Sequence, residues 1–155
     1  MKKKLLILLV IIILSIASYF IFFQSKNSNE EVNISSVSLE EVSAKLELGK
    51  ALYDTYCASC HGERLQGNPK WNITTDEDGD NLPPPLNGTG HTWHHSPEQL
   101  FNIIKYGLKI YNEGYKGKMQ GNPDLSDEDV WSILAYIKYV WPESIRQKYD
   151  SMTKH

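Results

Sequence analysis

The sequence predicts an all-α domain with long loops, preceded by one apolar segment of membrane-spanning length. Apolar residues recur at spacings of three and four in several segments, which is the pattern of helices with one buried face. No segment shows a convincing alternation of apolar and polar residues, the pattern that predicts a strand. Residues 62–90 hold five of the ten glycines and four of the seven prolines, which indicates a long loop.

The N-terminus predicts a single-pass membrane anchor over residues 1–23. Residues 2–4 are lysines, and an apolar run broken only by two serines follows over residues 5–23. At about 1.5 Å per residue this run covers about 28 Å, close to the ~30 Å hydrocarbon core of a bilayer. Because lysines stay cytoplasmic, the rest of the chain is expected on the extracytoplasmic side of the cytoplasmic membrane. The alternative is a signal peptide cleaved after the small-x-small sequence Ser15-Ile16-Ala17.

The rest of the chain divides into a linker, a domain and a tail. Residues 24–37 are rich in Ser, Asn and Glu and lack periodicity, so a flexible linker is expected there. The domain is predicted over residues 38–149, and residues 150–155 are expected to be a frayed tail. Taking the three lysines of the anchor from the 16 basic residues leaves 13 against 19 acidic residues, a net charge of −6. This charge excludes nucleic acid as the expected partner, since nucleic-acid binding needs a basic surface.

The first domain helix is predicted to begin after Ser38, an N-cap with Glu41 in the capping-box position. Its apolar stripe consists of Leu39, Val42, Leu46, Gly49, Tyr53, Tyr56 and Cys60. A glycine in the middle of a helix costs about 1 kcal/mol relative to alanine. Gly49 on this stripe therefore predicts that another backbone passes close to it.

Two further helices are indicated by their end signals. One begins at the N-cap Ser96, with Pro97 in the first helical position, and stops at Gly107. The other begins at Ser126 with three acidic residues in its first turn, which suits the helix dipole. Its pattern ends at Pro142. A short additional helical turn is expected over residues 145–149.

The motif Cys57-Ala58-Ser59-Cys60-His61 is the attachment signature of c-type haem. Two thiols one helical turn apart lie on one face and can each bond to one edge of the porphyrin, while the adjacent imidazole falls under the iron. A zinc site would need two further Cys or His ligands at tight spacing. A thioredoxin-like pair would need a βαβ context, and a disulfide would not need His61. The sequence therefore predicts one covalently bound haem c.

Three segments resemble the class I cytochromes c, in the order found in that family. Residues 49–62 (GKALYDTYCASCHG) look like the first helix and haem site, and residues 84–88 (PPLNG) look like the loop on the proximal side of the haem. Residues 125–137 (LSDEDVWSILAYI) resemble the C-terminal helix. The resemblance covers about residues 38–141. It implies the class I cytochrome c fold, with a few helices and long loops wrapped around one covalently bound haem.

The same resemblance implies where the two main helices cross. In the family, the C-terminal helix crosses the first helix at a glycine and an aromatic residue. Gly49 and Tyr53 are therefore expected to meet Ile133 and Tyr136, which would explain the glycine in the middle of the helix.

The resemblance also implies the residues around the iron. His61 would be one metal ligand, with its imidazole hydrogen-bonded to the carbonyl of Pro84, and Leu86 would pack on the haem. The family takes its sixth ligand from a methionine in the loop before the last helix, and Met119 is the methionine there. A thioether favours ferrous iron and raises the reduction potential. In the alternative, Met119 is an ordinary surface residue and the iron is held by two histidines or left open. Gln120 follows Met119 where family members often have proline.

Two polar motifs have weaker implications. His91, His94 and His95 lie within five residues and could bind copper or supply a distal ligand. No adjacent carboxylate or cysteine completes such a site, which favours a loop in which Trp93 packs on the domain. Residues 76–81 (DEDGDN) look like part of a calcium loop but lack its terminal glutamate and flanking helices, so a solvated acidic turn is expected.

The function implied is that of a single-electron carrier and not an enzyme. Its partners would be redox proteins of a membrane electron-transfer chain, and the protein would supply axial ligands, an apolar pocket and one exposed haem edge. The alternatives are a haem subunit of an oxidase or dehydrogenase, a small peroxidase with an open iron, and a metal-handling or sensing module that uses the three histidines.

Overall fold

The computed structural model describes residues 14–22 and 39–153. The chain divides into two units, Met1–Val42 and Ser43–His155. In the first unit, residues 14–22 are helical. Of the helices described, none is long and apolar enough to cross a membrane. The rest of the predicted anchor, the predicted linker and the predicted cap at Ser38 lie outside the described residues.

The second unit is built from helices and loops. The helices are α1 over residues 39–56, which begins in the first unit, then α2 Ala58–His61, α3 Pro97–Tyr106, α4 Asp127–Val140 and α5 Glu143–Met152, with 3₁₀ turns at Thr92–His94 and Leu108–Ile110. The part of the chain that the structure describes contains no strand, only an isolated bridge between Thr75 and Asn81. The all-α prediction for this domain is therefore confirmed.

The starts of α3 and α4 follow from their caps. The side chain of Ser96 accepts a hydrogen bond from the backbone N–H of Gln99, and the side-chain oxygen of Gln99 accepts one from the backbone N–H of Ser96. Ser126 and Asp129 form the same reciprocal pair at the start of α4. Each pair satisfies N–H groups that a helix N-terminus would otherwise leave unpaired. α3 ends at Gly107, as predicted.

α1 and α4 cross at Gly49, as the glycine predicts. A Cβ atom at Gly49 would lie 2.0 Å from the carbonyl oxygen of Ser132 and 3.0 Å from Cβ of Tyr136. The rings of Tyr53 and Tyr136 are 5.7 Å apart. The backbone nearest to Gly49 thus belongs to Ser132 and not to the expected Ile133, which is itself fully buried in the core.

Only the middle of the predicted stripe on α1 is buried. Within the second unit, Tyr53 is fully buried, whereas Tyr56 is 48% exposed. Two helices that cross at an angle touch over a limited length near the crossing point. The apolar pattern of the sequence therefore runs further along α1 than its packing does.

The C-terminus is more ordered than predicted. α5 extends through Met152, so residues 150–152 are helical where a frayed tail was expected. The ring of Tyr149 packs edge-on against Trp141 at 5.1 Å, and both residues are buried in the core. Arg146 donates hydrogen bonds to the carbonyls of Tyr139 (2.7 Å) and Trp141 (3.1 Å), which satisfies carbonyls at the end of α4.

Candidate haem site

The attachment motif lies at the junction between α1 and α2. Cys57 occupies the turn between these helices and donates a backbone hydrogen bond to the carbonyl of Tyr53 (2.9 Å). His61 donates one to the carbonyl of Cys57 (2.9 Å), which continues the helical path through the motif. The left-handed Gly62 ends α2. The motif therefore has the helical spacing that haem attachment requires.

The two cysteines of the motif lie in different surroundings. Cys57 is half-buried against the core and Cys60 is exposed. Burial, with a smaller contribution from Cys60, raises the pKa of the Cys57 thiol to about 11. The nucleophilic cysteine of a redox-active dithiol has instead a lowered pKa. The pair is therefore poorly suited to thiol–disulfide exchange.

The imidazole of His61 is held in one orientation by residues 83–86, the proline-rich segment. Its Nδ1 atom lies 2.9 Å from the carbonyl oxygen of Pro84, so Nδ1 must carry the proton. Nε2 is then the nitrogen with a free lone pair. Burial lowers the pKa of His61, against the opposing effect of the hydrogen bond to Pro84. Burial therefore favours the neutral imidazole, the form that binds a metal.

Four successive carbonyls in residues 83–86 each accept a hydrogen bond from a different part of the fold. The donors are the backbone of Asn68 (2.8 Å), Nδ1 of His61 (2.9 Å), the hydroxyl of Thr92 (3.4 Å) and Nε1 of Trp141 (2.8 Å), taken in order from Pro83 to Leu86. The backbone of Leu86 in turn donates to the carbonyl of Leu65 (2.8 Å). The Pro84 carbonyl is therefore placed by contacts on both sides of it. Leu86, predicted to pack on the haem, is half-buried at the edge of the core.

The loop of Met119 is docked against the end of α3. Leu108 donates a backbone hydrogen bond to the Met119 carbonyl (3.1 Å), and the Met119 backbone donates to the hydroxyl of Tyr115 (3.1 Å). Gly107 and Gly121 have φ values of +78° and +85°, and a Cβ atom on Gly121 would lie 2.3 Å from the Gly107 nitrogen. The sequence predicted Gly107 only as a helix stop. The close approach of these two glycines places Met119, which packs against the core.

The acidic turn is joined to the same loop. Oδ1 of Asp76 accepts backbone hydrogen bonds from Asp78 (3.1 Å) and Asp80 (2.9 Å), and Oδ2 pairs with Nζ of Lys118, next to Met119. The hydrogen bond from Lys118 lowers the pKa of Asp76, helped by those backbone hydrogen bonds. The acidic turn therefore makes an intramolecular contact with the loop of Met119.

The three clustered histidines do not converge on a common point. The ring of His91 stacks on Trp71 at 5.2 Å, and the ring of His94 stacks on Trp93 at 3.7 Å. His95 meets His91 edge-on at 5.3 Å. Over residues 14–22 and 39–153, no three His, Cys, Asp or Glu side chains are grouped to hold a metal ion. Copper binding at His91, His94 and His95 is therefore not supported, because the rings of His91 and His94 stack on two different tryptophans.

Comparison with known proteins agrees with the geometry of the site. A family model described as "Cytochrome C oxidase, cbb3-type, subunit III" matches residues 44–137, more than half of the chain. The chain belongs to this family of class I c-type cytochromes. It is a haem protein of electron transfer and carries covalently bound haem c, with Cys57 and Cys60 placed as in the attachment motif.

Individual relatives of this cytochrome are also c-type cytochromes. Cytochrome c-555 of Prosthecochloris aestuarii is 31% identical over 96 residues, which are 57% of this chain and 81% of that protein. Cytochrome c-555 of Chlorobaculum thiosulfatiphilum is 31% identical over 93 residues, 57% of this chain and 88% of that protein. The cytochrome bc1 complex cytochrome c subunit of Mycobacterium leprae (strain TN) is 56% identical over 34 residues, only 22% of this chain and 12% of that protein. No solved structure gives a significant match.

Proposed function

We propose that this cytochrome is a single-electron carrier with His61 and Met119 as axial ligands, held by residues 1–23 on the outer face of the cytoplasmic membrane. The observation that carries the proposal is the 2.9 Å contact between Nδ1 of His61 and the Pro84 carbonyl, because it leaves Nε2 for the iron. When bound, the haem iron supplies one-electron chemistry between its ferric and ferrous states.

The two ligands act on the iron in opposite directions. The hydrogen bond to Pro84 makes the His61 imidazole a stronger electron donor, which favours ferric iron. The thioether of Met119 is neutral and soft, and it favours ferrous iron. The balance between them would set the reduction potential of the carrier.

The docking of the Met119 loop supports a carrier rather than an enzyme. Its backbone is held by Leu108, Tyr115 and the contact between Gly107 and Gly121, so little ordering remains when the thioether binds. With Met119 bound, the iron would have no open position for a substrate.

Replacement of Met119 tests the ligand assignment. Met119→Ala should abolish the weak methionine–iron charge-transfer band of the ferric protein, lower the reduction potential and open ferrous iron to carbon monoxide. Met152→Ala, at a methionine of α5 that is 43% exposed, is the matched control and should change none of these.

The histidine alternative is tested in the same assay. Simultaneous replacement of His91, His94 and His95 should leave the charge-transfer band intact. A wild-type protein without this band, or loss of the band in the triple variant with retention in Met119→Ala, would show that the sixth ligand is not Met119.

The proposed location rests on the 19-residue apolar run and the lysines before it. The full-length protein should stay with membranes through alkaline extraction, and its haem domain should be cleaved by protease added to spheroplasts. Recovery of a soluble haem protein whose N-terminus begins after residue 17 would establish the cleaved signal peptide instead.

A second candidate is a haem subunit of an oxidase complex, favoured by the description of the matching family model. Such a subunit would co-purify with an oxidase in a fixed ratio after mild solubilisation of native membranes. A carrier would separate from the oxidase when salt is added, since its contacts are transient.

A further inference from the structure

Trp141 lies at the elbow between α4 and α5, and its indole contacts the C-terminal end of the proline-rich segment. Its side chain is 2% exposed, and Nε1 donates a hydrogen bond to the Leu86 carbonyl at 2.8 Å. We propose that Trp141 is a positioning residue for the iron ligand His61 and acts on it through residues 83–86. This inference rests on the proposed ligation of the haem by His61.

The segment between the two residues is stiff. Pro83, Pro84 and Pro85 each have a fixed φ, and none has an N–H group with which to form its own hydrogen-bond ladder. Its carbonyls are therefore positioned from outside. His61 contacts the Pro84 carbonyl and Trp141 contacts the carbonyl two residues later, so a shift at the second contact is transmitted to the first.

Trp141 is itself held firmly. Arg146 donates to its carbonyl at 3.1 Å, and the ring of Tyr149 packs edge-on against its indole. Gly88, just after the proline-rich segment, also packs directly on this elbow, since a Cβ atom on Gly88 would lie 2.9 Å from Cδ of Pro142. Trp141 and α5 follow the residues matched by the family model, which end at 137. Trp141 thus lies outside the part of the domain that the family model matches.

The contact has a direct consequence for the iron. If the Leu86 carbonyl loses its donor, the Pro84 carbonyl is less well placed and its hydrogen bond to His61 weakens. A weaker bond makes the imidazole a poorer electron donor, and ferric iron loses stabilisation. The reduction potential should therefore rise.

Trp141→Phe in the haem-loaded, full-length protein tests this chain of effects, because it removes the N–H and keeps most of the apolar ring. The reduction potential should rise, and the Nδ1 proton of His61 should exchange with solvent about tenfold faster. Tenfold corresponds to about 1.4 kcal/mol, the upper range of a single hydrogen bond. Trp131→Phe is the matched control, since Trp131 lies on α4, is 36% exposed and packs on Phe101. It should change neither quantity.

Gly88→Ala tests the same contact from the loop side and decides the question if Trp141→Phe fails to mature. Its methyl group would press on Pro142 and Trp141, and it should change the potential and the exchange rate in the same direction. If Trp141→Phe, or Gly88→Ala in its place, behaves as Trp131→Phe does, the positioning role is refuted. Absence of haem-shifted His61 ring protons in the wild type would instead refute the ligation.

Discussion

Gly49→Ala should loosen the crossing of α1 and α4. Its methyl carbon would lie 2.0 Å from the Ser132 carbonyl oxygen, whereas such carbon–oxygen contacts are normally about 3.3 Å or longer. The backbones must therefore separate by more than about 1 Å. Overpacking of this kind costs about 1–3 kcal/mol, and this displacement belongs at the upper end. The higher helix propensity of alanine offsets about 1 kcal/mol of this cost, so the free energy of unfolding should fall by about 2 kcal/mol.

Urea unfolding of the haem-loaded protein, followed by circular dichroism, measures this loss. With a slope of about 2 kcal/mol per molar urea, the midpoint should fall by about 1 M. Gly114→Ala is the matched control, because Gly114 lacks a left-handed φ and a Cβ there would meet only Asn112 Oδ1, at 3.5 Å. This control should change stability by less than about 0.5 kcal/mol. An unchanged or raised midpoint for Gly49→Ala would mean that propensity outweighs the crossing contact and that the packing argument is wrong.

Two further substitutions test the surroundings of the haem motif and of the proposed sixth ligand. Tyr53→Phe removes the 2.7 Å hydrogen bond from its hydroxyl to the Gly62 carbonyl and should cost about 1 kcal/mol in the same urea assay; equal midpoints would contradict this role. Asp76→Asn removes the ion pair with Lys118 and should make methionine ligation easier to displace with imidazole, more so at low than at high salt. Because the folded pKa of Asp76 is lowered below its ordinary value of 3.8, its stabilisation is present above that pH and is lost as the pH falls through the lowered pKa. The difference between Asp76→Asn and wild type in an acid titration should therefore shrink below about pH 4, and a difference independent of pH would contradict the ion pair.

The features that could be predicted from the sequence are those that depend on one residue or on residues a few positions apart. Ser96 and Ser126 mark the starts of α3 and α4, because a cap depends on residues only three positions apart. Gly49 predicted a close backbone, since only contact explains a glycine on a buried stripe. The predicted contact between His61 and Pro84 is present in the structure as well, although it was implied by a family resemblance and not by the spacing of the residues.

The features that could not be predicted depend on residues far apart in the chain. Asp76 and Lys118 are 42 positions apart, and local composition suggested only a solvated acidic turn. α5 has few apolar residues, and its order comes from Tyr149 packing on Trp141 and from Arg146 capping α4. The three histidines suggested metal binding by their spacing, which contains no information on the tryptophans that orient two of them. The membrane anchor stays a prediction, since most of residues 1–23 lie outside the described part.

The proline-rich segment also restricts which residues the loop can accept. Pro85 is buried, and its Cδ atom lies against Gly90. Any other amino acid would place an N–H group where Cδ now lies, and a buried donor without a partner costs about 1–3 kcal/mol. A change at Pro85 would therefore require an acceptor or a water molecule to enter the packed loop. The absence of a donor thus matters as much as the stiffness of the ring, and substitutions should be tolerated more readily at exposed Thr89 than at Pro85.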